Sequence, residues 1–469
     1  MLQSREKERI LEFFQSNGIL VAPDALNRII ENNMGPMIRS LLTSEVLDSG
    51  YLSEKQIHSV LVDSNKTRNP YFEVDYSNLK VNSSAEDFRK YFSDRYEKLK
   101  KIILLSSHMR GTLPISKAKR TPGKLKVVGM VSETSVTSNG HRKLLIEDLE
   151  DSIQVIIMKK NPISSELILP DEVIGIVGSV SSGKGDPVIF ADEIVRPDIP
   201  NRVVQFEESA PVFVGSISDI HVGSKTFRKD DFRSMIHWLN GGSEESKQLK
   251  YLVLSGDVVD GIGVYPSQEN DLEILNPMEQ YSALAELISG IPEDVKVFIM
   301  PGNHDTVRLA EPQPCLPEAL RKDLPDNAFL IPNPCTLTLE KRKVLVYHGM
   351  SLNDLVELIP GMNYSTIGDA VKELLKRRHL APRYGGKTPL IPSATDYHVI
   401  EEIPDVFITG HVHSHAMGEY KSVRYVNSST WQSQTDYQRM MNFSPNPSIL
   451  TLFDLNSLNV VKKDFKPTY

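Results

Sequence analysis

Five short clusters of Asp, His and Asn constrain this 469-residue chain more than any other feature of it. They are Asp219-Ile220-His221, Gly256-Asp257-Val258-Val259-Asp260-Gly261, Gly302-Asn303-His304-Asp305, His348-Gly349 and Gly410-His411-Val412-His413. Each follows a short apolar run: Val212–Ile217, Tyr251–Leu254, Val295–Met300, Val344–Tyr347 and Val406–Ile408. Such runs, alternating with helical stretches, read as buried strands of an α/β fold. Polar residues placed just past strand ends gather on loops, where a rigid scaffold carries a site. Taken singly, Gly-Asn-His-Asp is an ordinary turn, His-x-His is surface and Asp219 is a helix cap. Five in succession, all behind apolar strands, call for a shared cause.

The rest of the chain divides into several domains, as its length requires. Residues 1–62 read as a small helical domain, with apolar positions at Ile10, Phe13, Phe14, then Leu26, Ile29, Ile30, then Ile38, Leu41, Leu42. Ser53-Glu54-Lys55-Gln56 is a capping box for a further helix through Ile57, Val60 and Leu61. Residues 63–83 read as a linker. Ser84 caps a packing helix with Phe88, Phe92, Tyr96, Leu99 and Ile103 on one face, leading to a connector that ends near residue 120. Between 121 and 200 the period changes. Strands are expected at Lys124–Val131, Lys143–Glu147, Ile153–Met158, Val173–Val180 and Val188–Arg196, with a turn at Asn139-Gly140 and a short helix at Pro162–Leu167. Five strands with a helix between the third and fourth is the order of an OB-fold β-barrel. Phe190 is its only strand aromatic, so it reads as a structural or protein-contact barrel rather than a stacking surface.

Composition removes several classes. No apolar run is long enough for a membrane span, and the N-terminus is no signal peptide, so a cytoplasmic protein is expected. Two cysteines, Cys315 and Cys335, cannot build a disulfide framework. A net charge of −8 argues against wrapping nucleic acid over the whole surface but allows a local basic groove. Basic segments run from Lys117 to Lys126 and from Lys372 to Lys387. Gly178 to Gly185 resembles a phosphate-binding P-loop, but Gly185 stands where a hydroxyl is needed and the segment joins two strands. No ATP site is expected.

In order and spacing the five clusters resemble the calcineurin-like metallophosphoesterases. That resemblance implies a calcineurin-like α/β sandwich over 205–469, holding two divalent metals about 3.5–4 Å apart. It implies Asp219, His221 and His413 on the first metal, Asn303, His348 and His411 on the second, and Asp257 bridging them. His304 matches the histidine that stabilises the transition state or protonates the leaving oxygen, and Asp260 the acid that orients it. His415 has no counterpart. Mixed nitrogen and oxygen donors favour manganese, with iron or zinc as alternatives.

The flanking segments narrow this. Gly256–Pro266, Met300–Pro314, Arg378–Pro389 and Val426–Gln434 closely resemble the small subunit of archaeal family D DNA polymerases. The resemblance covers about residues 84–469. It implies a metal-dependent 3′→5′ exonuclease that proofreads for a large catalytic subunit, acting on single-stranded or mismatched 3′ ends of DNA. Arg377, Arg378, Arg383 and Lys387 are the candidate DNA contacts. Two other readings stay open: a scaffold subunit with little activity, and a stand-alone phosphodiesterase or phosphatase.

Overall fold

A computed structural model describes residues 7, 10, 11, 13–31, 51–53, 71–79, 84–181, 185–440 and 442–467. The chain divides into two units, Met1–Glu73 and Val74–Tyr469. In the first, Ile10, Phe14, Ile19, Ala25, Leu26, Ile29 and Leu52 close a small core. Helix α1 (Pro23–Glu31) opens on a proline, whose missing N–H would be unpaired there in any case. Beside these helical segments Leu20–Val21 pairs in parallel with Tyr51–Leu52, a strand contact that a purely helical reading omits. The helix expected around Leu41 and the helix expected after Ser53 lie outside the described residues.

In the second unit, part of the expected linker is tied down. Tyr76 is buried, its hydroxyl donating to the Pro334 carbonyl (3.1 Å), while Arg308 donates to the Tyr76 carbonyl (2.9 Å). Helix α2 (Ala85–Ile103) follows a reciprocal cap between Ser84 and Asp87. Then come strands β1 (Gly123–Val136), β2 (Arg142–Glu147), β3 (Ser152–Ile157), β4 (Val173–Val180) and β5 (Val188–Val195). They form a closed barrel in the order β1-β2-β3-β5-β4, shut by the parallel pairing of β3 with β5. Alternate residues point inward, so Leu144, Ile146, Ile153, Val155, Ile157, Ile174 and Ile176 fill it. A single 3-10 turn, Pro162–Ser165, lies between β3 and β4.

Residues 213–464 form two facing mixed sheets. One holds β6 (Phe213–Ile217), β7 (Leu249–Ser255), β8 (Lys296–Met300), β9 (Ala328–Leu330), β15 (Ile449–Asp454) and β16 (Val460–Asp464). The other holds β10 (Cys335–Leu339), β11 (Arg342–Val346), β12 (Val406–Thr409), β13 (His415–Tyr420) and β14 (Val423–Ser428). Their orders are β9-β8-β7-β6-β15-β16 and β10-β11-β12-β14-β13. Strands β6, β7, β8 and β9 are mutually parallel, as are β11, β12 and β14. Helices α3 (Lys229–Asn240) and α4 (Pro277–Ile288) cover the first sheet, and α5 (Ser351–Leu358) and α6 (Ile367–Arg377) the second, each over its own apolar core.

Helix α2 joins barrel to sandwich. Toward the barrel, Tyr96, Leu99 and Ile103 pack on Val128, Val173 and Val177, and the Tyr96 hydroxyl donates to the Val128 carbonyl (3.2 Å). Toward the sandwich, fully buried Arg95 pairs with fully buried Asp396 (2.7 Å) and donates to the Pro382 carbonyl (3.1 Å). Asp396 also takes His379 Nε2 at 2.8 Å. Burial works against its charge, but His379 and Arg95 outweigh that and hold its carboxyl well below the usual range. Removing one partner of a buried pair costs about 3–5 kcal/mol. Asp396→Asn should lose about that much in urea unfolding at pH 7. Because the folded-state pKa is depressed, the contribution exists above the unfolded carboxyl value of about 3.9 and fades as pH falls toward the folded one. The gap between wild type and variant should therefore narrow below about pH 4; a gap independent of pH would show that this carboxylate is not the source.

Candidate metal centre

Parallel strands end on one edge, and that edge carries the site. Asp219 and His221 follow β6, Asp257 follows β7, Asn303 and His304 follow β8, His348 follows β11, and His411 and His413 follow β12. The turns are sharp. Asp219 (φ 51°), His221 (53°), Asp257 (49°), His411 (70°) and His413 (53°) all lie in the left-handed region. A non-glycine residue there costs on the order of 1–3 kcal/mol and persists only where its surroundings impose it. Gly256, at φ 104°, precedes Asp257, and a Cβ on it would collide with the His348 ring. A Cβ on Gly302 would strike Asp257, and one on Gly410 would strike Ser218.

Three donor groups result among the described residues; one of them, His221, Asp260 and His304, shares His221 with the first of the two that match the expected ligands. In the first, His221 Nε2 and His413 Nε2 face each other at 3.1 Å, with Asp219 Oδ1 at 3.9 and 3.3 Å from them. In the second, His348 Nε2 lies 3.4 Å from Asp257 Oδ2 and 3.1 Å from Asn303 Oδ1, with His411 close by. Donors bound at about 2.0–2.2 Å to one ion are themselves ~3–3.5 Å apart, which these separations approach. Asp219 Oδ1 and His411 Nδ1 are buried without a hydrogen bond. Leaving such atoms unpaired is expensive, and a cation would satisfy both. The donor set therefore fits two divalent metals.

The ring nitrogens that face away from the two groups all have partners: at His348 and His221 the partner is an acceptor, the usual arrangement for a metal-binding histidine, whereas at His413 and His411 it is a side-chain amide nitrogen. His348 Nδ1 meets the Ser255 carbonyl (2.9 Å), His413 Nδ1 meets the Gln438 amide (2.7 Å), and His411 Nε2 meets the Asn353 amide (2.8 Å). His221 Nδ1 meets Asp260 Oδ1 at 2.7 Å. Asp260 is expected to orient His304, and its carboxylate also stands 3.9 Å from His304 Nδ1. The Asp260 carboxylate serves His221, and it is the Asp260 backbone carbonyl that holds His304 Nδ1, at 2.8 Å. The backbone N–H of His304 donates to Asp257 Oδ1 (2.8 Å). Burial opposes protonation of His348 and His221, but the Asp257 carboxylate and the Asp260 hydrogen bond respectively outweigh it. Their pKa values stand at about 10 and about 9. Burial and neighbouring His348 push His411 down to about 3. In the absence of cations, protonated His221 and His348 would balance the carboxylates.

Several supports carried no role in the sequence reading. Asp305 accepts from the Gly302, Val258 and Val259 amides and from the Tyr281 hydroxyl, knitting two ligand loops together. Burial, with Asp257 beside it, raises its carboxyl to about 7. Thr430 Oγ1 and the Trp431 amide both donate to the Asp219 carbonyl, and Asn333 accepts from the His348 amide. Asp305 stands inside a cluster already singled out. Gln438 and Asn353 lie 25 and 58 positions from the rings they meet, so spacing gave no sign of them. His415 is turned away, bonded to Thr451 at 3.0 Å.

The candidate DNA contacts need correcting. Arg377 is buried and ion-paired with Glu172 and Glu373. Arg378 is buried and donates to the Ile400 and Glu401 carbonyls. Both guanidinium groups are engaged inside the fold and cannot face a polyanion. Arg383 is half-buried, and exposed Lys387 pairs with Glu357.

The sequence model of the family of DNA polymerase alpha/epsilon B subunits matches residues 214–417. A DNA polymerase II small subunit of Thermoplasma acidophilum is 58% identical over 463 residues, 99% of this chain and 94% of that protein. One from Methanothermobacter thermautotrophicus is 36% identical over 467 residues, covering 93% and 95%. One from Methanocaldococcus jannaschii is 42% identical over 384 residues, covering 79% of this chain and 64% of that one.

Proposed function

The chain belongs to the family of archaeal DNA polymerase II small subunits, and from that premise we propose that it is the proofreading subunit of a replicative polymerase. In this reading it removes nucleotides from single-stranded or mismatched DNA 3′ ends as a metal-dependent 3′→5′ exonuclease. A large catalytic subunit is its partner, and the cytoplasm is where it works. No helix among the described residues is long and apolar enough to cross a membrane.

One observation carries the hydrolytic reading. Asp219, His221 and His413 form one candidate cation group and Asp257, His348 and His411 another, and the charge of Asp257 acts on Asp219 and His221 across them. Asp219, His221 and His413 would hold one cation, and Asn303, His348 and His411 the other, with Asp257 between them. Manganese suits these donors, as iron or zinc would. When bound, the two cations supply charge neutralisation on the phosphate and a strong nucleophile at neutral pH. The chain's own residues do the rest. The carbonyl of Asp260 fixes His304 Nδ1, which leaves Nε2 to meet the departing oxygen. Asp260's carboxylate keeps His221 in a single orientation.

The test is a 3′-labelled, mismatched primer–template incubated with the purified chain. Cleavage from the 3′ end should appear with manganese and stop with chelator. Undiminished cleavage after thorough metal stripping would remove the two-metal reading. Metal-dependent hydrolysis of simple phosphate esters without attack on DNA would favour a stand-alone phosphoesterase.

A further inference from the structure

The hydrolytic reading above leaves open what grips the substrate beside His304, and the geometry of the neighbouring loop points to an answer. We propose that the ring of Tyr265 is a stacking platform for the nucleobase of the penultimate nucleotide, the one whose 3′-oxygen departs. The inference rests on that reading and adds a substrate contact to it.

The loop after Asp260 is apolar where it meets solvent. Ile262 is 49% exposed, and Val264 and Tyr265 are each 38% exposed, next to a buried polar site. Exposing adjoining large apolar side chains is unfavourable unless something covers them. The Tyr265 ring centroid lies 6.4 Å from that of His304, at 60°. A strand whose leaving oxygen meets His304 would bring the base of that nucleotide to this side of the site.

The loop is also held rigid. Gly261 and Gly263 make its turns at φ 68° and 77°. Buried Gln268 accepts the Val264 amide (2.9 Å) and donates to the Asp260 carbonyl (2.8 Å) and carboxylate (3.1 Å). Buried Gln280 clamps Gly261 on both sides, accepting its N–H (2.8 Å) and donating to its carbonyl (3.0 Å). The Tyr265 hydroxyl donates to Asp271 (3.1 Å), fixing the ring through its edge. Two buried glutamines thus hold a half-exposed aromatic ring against the residue that meets the leaving oxygen. A preorganised ring loses little freedom on binding a base. Stacking is blind to sequence, which suits an enzyme that must remove any mismatch.

The experiment compares wild type, Tyr265→Ala and Tyr265→Phe on single-stranded oligonucleotides in manganese. One strand is normal, one is abasic at the penultimate position and one is abasic at the terminal position. Loss of a base–aromatic stack, worth about 1–3 kcal/mol, corresponds to a fall of roughly 5- to 150-fold in kcat/KM on the normal strand for Tyr265→Ala. Tyr265→Phe keeps the ring and loses only the Asp271 bond, so its fall should be clearly smaller than that of Tyr265→Ala. On the penultimate abasic strand Tyr265→Ala and wild type should converge, while the terminal abasic strand should keep the difference. An unchanged rate in Tyr265→Ala overturns the proposal. So does an equal loss on all three strands, which would mark a structural role. A loss relieved only by the terminal abasic site overturns the assignment to the penultimate base. A wild-type chain that holds its metals yet cuts no strand overturns the hydrolytic reading itself, and this inference with it.

Discussion

Asp257→Asn should lose at least one cation and nearly all hydrolysis while the fold survives. The geometry says why so small a change is severe. Asp257 Oδ1 accepts the His304 amide at 2.8 Å, and Oδ2 faces His348 Nε2 at 3.4 Å. In the variant the backbone donor holds the amide oxygen at the first position. The NH₂ is then forced into the second, where a ligand is needed, and it can neither bind a metal nor offset the charge of two. Metal analysis should show fewer than two ions per chain, and proofreading assays no removal of a mismatch. Polymerisation by a complex reconstituted with the large subunit should persist. Retained exonuclease activity would show that Asp257 does not join the two groups.

His304→Ala should slow cleavage by roughly 10²–10⁴-fold, the usual worth of a positioned general acid–base group, and leave metal content near wild type. The separation is built into the site. The link from His304 to Asp257 is made by the backbone amide, which alanine retains. Its ring is bonded to the Asp260 carbonyl at 2.8 Å, lies 3.9 Å from the Asp260 carboxylate, and belongs to neither of the two groups expected to hold the cations. If His304→Ala loses its metals, the assignment is wrong. Asp260 behaves differently, because its carboxylate orients His221, a member of the first group.

The readable part of the site was what local sequence can encode. A short apolar run followed by Asp or His states both that a strand ends and what it presents. His348, a lone His-Gly, gained meaning only from the Val344–Tyr347 run before it. Burial of charge was not readable. Arg95, Arg377 and Arg378 look like surface residues, since arginine is seldom fully buried. Their partners lie far away in sequence: Asp396 for Arg95, Glu172 for Arg377. The face of α2 was only partly read for the same reason: Phe88 and Phe92 are half-buried, whereas Tyr91 and Arg95 lie wholly inside. Spacing placed Asp260 near the right histidines. It could not say that its carboxylate meets one ring and its carbonyl the other. Strands β13 to β16 follow the last apolar run that had been singled out, and β13 (His-Ala-Met-Gly-Glu-Tyr) has no run of large aliphatic residues and no fully buried one, which conceals it.

The double attachment of α2 bears on modularity. A sandwich fragment excised at the end of the barrel, near residue 205, looks like a natural cut on a diagram. It would leave Asp396 without Arg95 and strip cover from the surface around Tyr384, whose ring meets both Phe88 and Phe92. The shortest fragment that keeps the sandwich intact therefore begins before Ser84 and carries the barrel with it, so helix, barrel and sandwich are to be handled as one inheritance unit.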